Sequence, residues 1–472
     1  MFGKNKKNTI QLLFSGIIIL SIVLSGCQTA TEEPTAAEPT EEEVVVEEPT
    51  EEEAEEEPAE KPYEGITLNI FMETVPDTQY VKEFIPEFEE QTGMDVQVEE
   101  LSYSVMHEKL IPQLTTGEGS GAYDVIVVDK QWVGEFVCAE WLLPLDDYIA
   151  EDDFDTSVYT PAMFNMIGEV GGTVYTLPFY NYSTGLAYRN DIFTNSDIKS
   201  EYQSEFDEEM QIPEALDEYI RLAKFLTVDQ DGDGEVDRYG VAGQLQRLGA
   251  YWEYSMLLFA LDSWYYDQDW NAIVNTETGV QALEHLIDLY ENAMPEAATG
   301  YTFEEKLSMG TQGKAAMMLT YSWMPSLLNN PENSAVPGEW EFTIAPGGHG
   351  AQGGWGWAIP KSAPNPDAAW EFLSYIESFE VAKGRAMLGG QPVRDDVFND
   401  PEVLEEWPGL EVTQEIVAKA KPFPVLCNSA QVNEAIGLHV SQALTGDVEP
   451  QKAMDDLAKE LNEIVEGDPL AK

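Results

Sequence analysis

Between Ile66 and Asp129 three short β-type runs alternate with two helical stretches, and this order limits the fold more than any other feature of the chain. ITLNIFM (66–72) reads as a strand and roughly 79–92 as a helix closed by Thr92-Gly93. MDVQVEE (94–100) alternates as a strand, 104–116 is helical, and YDVIVVD (123–129) has the continuous apolar character of a strand buried on both faces. Strand–helix–strand–helix–strand implies right-handed crossovers and a parallel sheet. Ligands of such sheets bind beyond the carboxyl ends of the strands. Glu73 and Thr74, Tyr103, and Asp129 and Trp132 should therefore gather near one rim. Further on, 213–226, 249–261, 277–293 and 447–467 carry apolar residues at helical spacing. A chain of 472 residues exceeds one typical core, so an α/β protein of two lobes is expected.

The amino-terminal region reads as processing signal and spacer. Lys4, Lys6 and Lys7 precede an apolar run from Leu12 to Leu24, too short for a comfortable span and followed by Ser25-Gly26-Cys27. A cysteine after small residues resembles the bacterial lipobox, which implies cleavage before Cys27 and acylation of its thiol. Residues 28–63 hold fifteen glutamates among Thr, Pro, Ala and Val, and should stay extended as a tether. No transmembrane segment is expected after the signal.

Charge excludes a class of partner. With 88 acidic against 24 basic residues the formal net charge is −64, which argues against nucleic acid and against adhesion to anionic lipid. A saline habitat would suit such a surface, and an acidic site for a cationic ligand stays open. Cys138 and Cys427 have no CxxC partner and are expected to be small buried residues rather than a disulfide.

The segment Asp229-Gln-Asp231-Gly-Asp233-Gly234-Glu235-Val-Asp237 matches a calcium loop, with oxygen donors at positions 1, 3, 5 and 9, glycine at 6 and the Glu235 carbonyl at 7. Position 12 is Gly240, so the bidentate glutamate is missing and a weaker structural Ca2+ site is expected, with a plain acidic turn as the alternative. The four histidines (His107, His285, His349, His439) form no HExxH or HxxxH pair, GxSxG and P-loop motifs are absent, and no GxGxxG stands at a strand end. No catalytic residue is assigned and no cofactor is required, although a glycoside hydrolase needs only two carboxylates.

Several ordered segments then carry a family resemblance: 116–149 (TGEGSGAYDVIVVDKQWVGEFVCAEWLLPLDDYI), VYTLPFYNYSTGLAYRNDIF (174–193), GKAAMMLTYSW (313–323), GGWGWAIPKSAPNPDAAWEFLSYI (353–376), GGQPVRDDVF (389–398) and 443–465. Together they resemble family 1 of the extracellular solute-binding proteins, the sugar-binding receptors of bacterial ABC importers. The resemblance implies a two-lobe periplasmic-binding-protein fold of type II kind, with a hinge and a ligand cleft between lobes. It places residues 64–180 and 354–391 in one lobe and 181–353 and 392–472 in the other. It also implies a monomeric, lipid-anchored receptor outside the cytoplasm that hands a sugar to permease subunits.

A sugar offers apolar C–H faces and a rim of hydroxyls, so its site needs aromatic platforms and a few polar edge groups. The family's cleft segments hold Trp132, Trp323, Trp355 and Trp357, with Trp355 the first choice against the ligand. Tyr180, Tyr182 and Trp252 are secondary platforms, and Glu73, Asp129 and Arg394 the polar candidates. Any one aromatic could instead be core, Asp129 could cap the helix after it, and Arg394 could pair only with Asp395 or Asp396. The competing functions are a secreted glycoside hydrolase and a receptor for a polyamine or peptide.

Overall fold

The computed structural model describes Lys61 and residues 63–471. The apolar leader, Cys27 and the acidic tract up to residue 60 lie outside these described residues. Tyr63, read as the end of the tether, belongs to the fold: its N–H donates to the Thr92 carbonyl.

The strands in chain order are β1 (Thr67–Glu73), β2 (Asp95–Leu101), β3 (Val125–Asp129), β4 (Glu169–Val170), β5 (Thr173–Val174), β6 (Leu177–Arg189), β7 (Tyr239–Val241), β8 (Ala315–Tyr321), β9 (Trp340–Thr343), β10 (Ala351–Ala358) and β11 (Lys421–Pro422). The helices that matter below are α1 (Pro76–Lys82), α2 (Ile85–Thr92), α3 (Tyr103–Leu114), α4 (Lys130–Cys138), α5 (Leu216–Phe225), α6 (Arg247–Ala260), α7 (Glu277–Ala293), α8 (Phe303–Thr311), α9 (Pro366–Ile376), α10 (Ser429–Leu444) and α11 (Pro450–Val465). The expected single helix over 79–92 is two. Pro86 has no N–H to donate and its ring would clash with the preceding turn, so α1 ends and α2 restarts with that proline in its first turn.

The parallel set foreseen from the alternation is present: β1 lies between β2 and β3, with Ile70 opposite both Val98 and Val125. The sheet then changes sense. β10 runs antiparallel to β3 and to β6, and β6 continues antiparallel to β8 and β9, with β7 parallel to β8. β6 is the shared element. Its first part, Leu177–Ser183, pairs with β10, and its last part, Thr184–Arg189, pairs with β8 and β9. Every residue of β6 and β10 is buried, as strands covered on both faces must be. One half of the sheet thus holds β1–β3 and the other β7–β9, joined through β6 and β10.

In the second half α10 packs on α6, α7 and α11. There Lys306 of α8 is 1% exposed and bonds Glu253 of α6 at 2.7 Å and the Leu319 carbonyl at 2.7 Å. Glu253 also accepts from the Gln244 N–H. This pair joins helix to helix to strand directly behind Trp252. Among the described residues no helix is long and apolar enough to cross a membrane.

Cys138 and Cys427 are bonded as a disulfide, which corrects their reading as buried thiols. Cys138 is exposed at the end of α4, and separation by 289 residues gave no local sign that the segment before α10 returns there.

Lys306→Met should lower unfolding stability by about 3–5 kcal/mol, because it leaves Glu253 buried without its cation. Urea denaturation followed by far-UV circular dichroism measures it.

Candidate ligand-binding cleft

Three strand segments bring the polar centre together. Glu73 ends β1 and Asp129 ends β3, both at the carboxyl rim of the parallel set. β10 runs back between β3 and β6, and its register sets Trp355 opposite Asp129 on one side and Tyr180 on the other. The Tyr180 hydroxyl donates to Glu73 at 2.8 Å and the Tyr182 hydroxyl to Asp129 at 2.8 Å. Alternation along β6 points both tyrosines to one face. Asp129 also accepts from the Gln131 N–H at 3.2 Å, so it caps α4 and faces the cleft at once.

Around these carboxyls the rings gather in two clusters. Trp355 meets Trp132 edge-on at 5.5 Å and Tyr103 edge-on at 6.0 Å, while Tyr103 and Trp132 stack at 5.1 Å. From the other half, Tyr182 meets Trp252 at 6.0 Å and Tyr321 at 5.9 Å. Trp323 stacks on Tyr321 at 5.4 Å with the planes 3° apart. The halves touch at Gln131, whose Oε1 accepts from Tyr251 of α6 at 2.8 Å and from Asn433 of α10 at 2.7 Å. Its Nε2 is buried without a partner. Buried polar atoms rarely stay unpaired, and this one is available to a ligand.

Burial dominates the acid–base state of the centre. Although water still reaches its edge, desolvation raises the Glu73 carboxyl to about 8, with the Tyr180 bond pulling down and Asp129 and Asp77 pushing up. Desolvation likewise raises Asp129 to about 6 against the Tyr182 bond. Lys130 beside it is lowered to about 7 by burial. No basic side chain pairs with Glu73 among the described residues.

Of the residues expected at the site, Glu73, Asp129, Trp132, Tyr180, Tyr182, Trp252 and Trp355 come together, and Trp323 joins through Tyr321. Two expectations are corrected. Trp357 shares the face of Trp355 but lies deeper, 4.2 Å from Phe179, against Phe372 of α9, with its Nε1 donating to Glu377. The face there is covered by α9, so Trp357 is core. Arg394 donates to both oxygens of Asp396 and to the Glu377 carbonyl, so its guanidinium is engaged outside the group around Glu73 and Asp129. Tyr103 was placed on the rim by its position after β2 but not chosen as a platform. Gln131, Tyr251, Tyr321 and Asn433 were missed, since an amide or tyrosine inside a helical or strand pattern carries no mark of facing a second lobe.

The acidic loop stands apart, between α5 and β7, closed by the Val228–Arg238 bridge. Carboxylate oxygens of Asp229, Asp231 and Asp237 lie within 4.8 Å of one another. Asp233 and Glu235 do not join that group. Position 12 is glycine for a packing reason: a Cβ on Gly240 would sit 1.7 Å from the Ala223 carbonyl oxygen of α5. The three converging carboxylates suit a hard cation, with fewer protein ligands than a full loop supplies.

A family model described as bacterial extracellular solute-binding protein matches residues 73–383. Among curated relatives, a probable amino-acid ABC transporter periplasmic-binding protein of Sinorhizobium fredii is 22% identical over 401 residues, covering 84% of this chain and 89% of that one. A mannitol-binding protein of Pseudomonas aeruginosa is 24% identical over 387 residues, covering 75% and 84%. Among solved structures, an ABC transporter solute-binding protein of Agrobacterium radiobacter in complex with ribitol superposes with TM-score 0.74 at 24% identity, covering 85% of this chain and all of that one. Maltose-bound MalE3 of T. maritima gives 0.73 at 23%, covering 84% and 99%. These likenesses establish the fold as that of the two-lobe binding proteins.

Glu73, Asp129 and Asp77, itself raised to about 6 by burial, hold protons more tightly folded than unfolded. Their contribution is whole below about pH 4 and is lost as pH rises, through about 6 for the two aspartates and about 8 for Glu73. From about pH 7 upward Lys130 acts in the opposite sense. The melting temperature should fall from pH 5 to 7, and Glu73→Gln should flatten the fall between about pH 6 and 7. Calorimetry across pH at fixed ionic strength reads both.

Proposed function

Because the chain belongs to the bacterial extracellular solute-binding protein family, we propose that it is a carbohydrate receptor that closes its two lobes on a sugar or polyol and delivers it to an ABC transporter. The observation that carries this reading is the clustering of aromatic rings around Glu73 and Asp129, Trp355 among them. Flat rings suit the C–H faces of a sugar, and buried carboxyls suit its hydroxyls as hydrogen-bond acceptors. Relatives named for mannitol, maltotriose and erythritol or L-threitol point to the same polyhydroxylated class. In this reading the tyrosines hold the carboxyls in place, Gln131 Nε2 completes the edge contacts, and no bond of the ligand is broken.

The family places the protein outside the cytoplasm. We further propose the lipid anchor on Cys27, the monomeric state, and lobes of 64–180 with 354–391 and 181–353 with 392–472. We also propose a structural Ca2+ held by Asp229, Asp231 and Asp237 with the Glu235 carbonyl. A cationic ligand such as a polyamine is the competing reading, favoured by the absence of a basic partner on Glu73.

A thermal-shift panel of mono- and oligosaccharides, polyols and polyamines, run with and without dithiothreitol, tests the assignment, since a ligand of the native state raises the midpoint with concentration. A sugar or polyol should shift it and be recovered intact. A response to polyamines alone would replace the ligand, and cleavage of an oligosaccharide would replace the function. Trp355→Ala should weaken sugar binding at least about 30-fold, the equivalent of about 2 kcal/mol, while Trp357→Phe should leave the affinity nearly unchanged. Titration calorimetry should show calcium binding that Asp231→Ala weakens; equal affinity in both proteins would remove the cation.

A further inference from the structure

We propose that the Cys138–Cys427 disulfide is a thiol-exchange site that latches the two halves of the protein beside the ligand cleft, with an extracytoplasmic dithiol as its reagent. The proposal rests on the receptor reading in one respect only, that the halves must part for a ligand to enter.

Cys138 closes α4, whose opening turn carries Gln131 and Trp132 and is capped by Asp129. The helix is therefore a stiff lever about 12 Å long between the cleft and the disulfide, at about 1.5 Å per residue. α4 follows β3 and packs on β3 and β10, in the half that holds Glu73. Cys427 lies two residues before α10, which belongs to the other half and reaches back to Gln131 through Asn433. The bond thus crosses between the same two elements whose side chains meet in the cleft.

The contact around it is close enough to be specific. Gly134 lies one turn before Cys138 on the same face of α4, and a Cβ there would sit 2.4 Å from the Leu426 carbonyl oxygen. Helix backbone and incoming chain touch at that point, which brings the two cysteine Cα atoms to 5.5 Å. While the bond stands, α4 cannot leave the start of α10. Gln131, Asn433 and Tyr251 then stay engaged, and the rings between them stay covered.

Cys138 is exposed, so an external thiolate can reach the bond. Its attack on Sγ of Cys138 breaks the S–S bond, forms a mixed disulfide and releases the Cys427 thiolate, which takes a proton. The second thiol of the reagent then displaces Cys138. The reagent leaves as its own disulfide, two electrons poorer, and the receptor holds two thiols and can open. The reverse exchange with an oxidised dithiol closes it.

Full-length protein purified without reductant is alkylated and peptide-mapped, and its hydrogen exchange is compared before and after dithiothreitol, with Cys138→Ser as a second route to the unlatched form. Neither Cys138 nor Cys427 should alkylate before reduction, and both should after it. Amides in 129–138 and 426–436 should then exchange about tenfold faster or more, as expected when a long cross-link is lost, and Cys138→Ser should match without the dithiol. Alkylation of both cysteines in the untreated protein, or equal exchange in all three forms, would overturn the proposal. The sugar panel is run on the same samples. Sugar binding with exchange indifferent to the dithiol would sink the latch alone, whereas dithiol-dependent exchange with no sugar response would sink only the carbohydrate reading.

Discussion

The binding region depends on the antiparallel pairing of β10 with β6. Both strands are buried along their whole length, and each has neighbours on both edges. Neither can slide without exchanging an inward face for an outward one. That rigidity is what sets Trp355 between Asp129 and Tyr180, and what lets one strand hand its first residues to one half of the protein and its last residues to the other. A hinge made of paired strands bends as a unit, so the groups mounted on it keep their spacing while the lobes around them move.

Carboxyls at the centre of this frame are held by tyrosine hydroxyls rather than by cations. An arginine on Glu73 would claim both of its oxygens and leave neither for a ligand. A phenol fixes one oxygen and leaves the other free to accept from whatever enters. The cost is a pair of desolvated acids whose protons bind more tightly than usual, and such groups are stable only where the surroundings over-determine them. The buried Lys306–Glu253 pair supplies part of that support from behind Trp252, by locking α8, α6 and β8 to one another.

Much of this was legible in the residues. The alternation from Ile66 to Asp129 contained the parallel sheet, its rim, and the placement of Glu73, Asp129 and Trp132, because period and turn chemistry are local properties. The break at Pro86 was missed, because the apolar spacing on both sides of it suggested one helix. Partners drawn from distant segments were not. Nothing around Arg394 says that Asp396 and the Glu377 carbonyl will claim its guanidinium, and nothing around Gln131 says that α6 and α10 will meet it. Trp355 and Trp357 look alike in GGWGWAIP, and only the covering helix α9 separates a platform from a core residue. Gly240 is the converse case: a missing calcium ligand whose cause lies in the packing of α5 rather than in the loop.

The distance along the chain between Cys138 and Cys427 bears on how the protein is made. A polypeptide grows from its amino end, so the first of these thiols emerges from the ribosome and the export channel 289 residues ahead of the second. Throughout that interval Cys138 has no native partner, and the one other cysteine in the sequence is Cys27. The correct bond therefore requires that Cys138 stay unpaired with Cys27 until the late cysteine arrives.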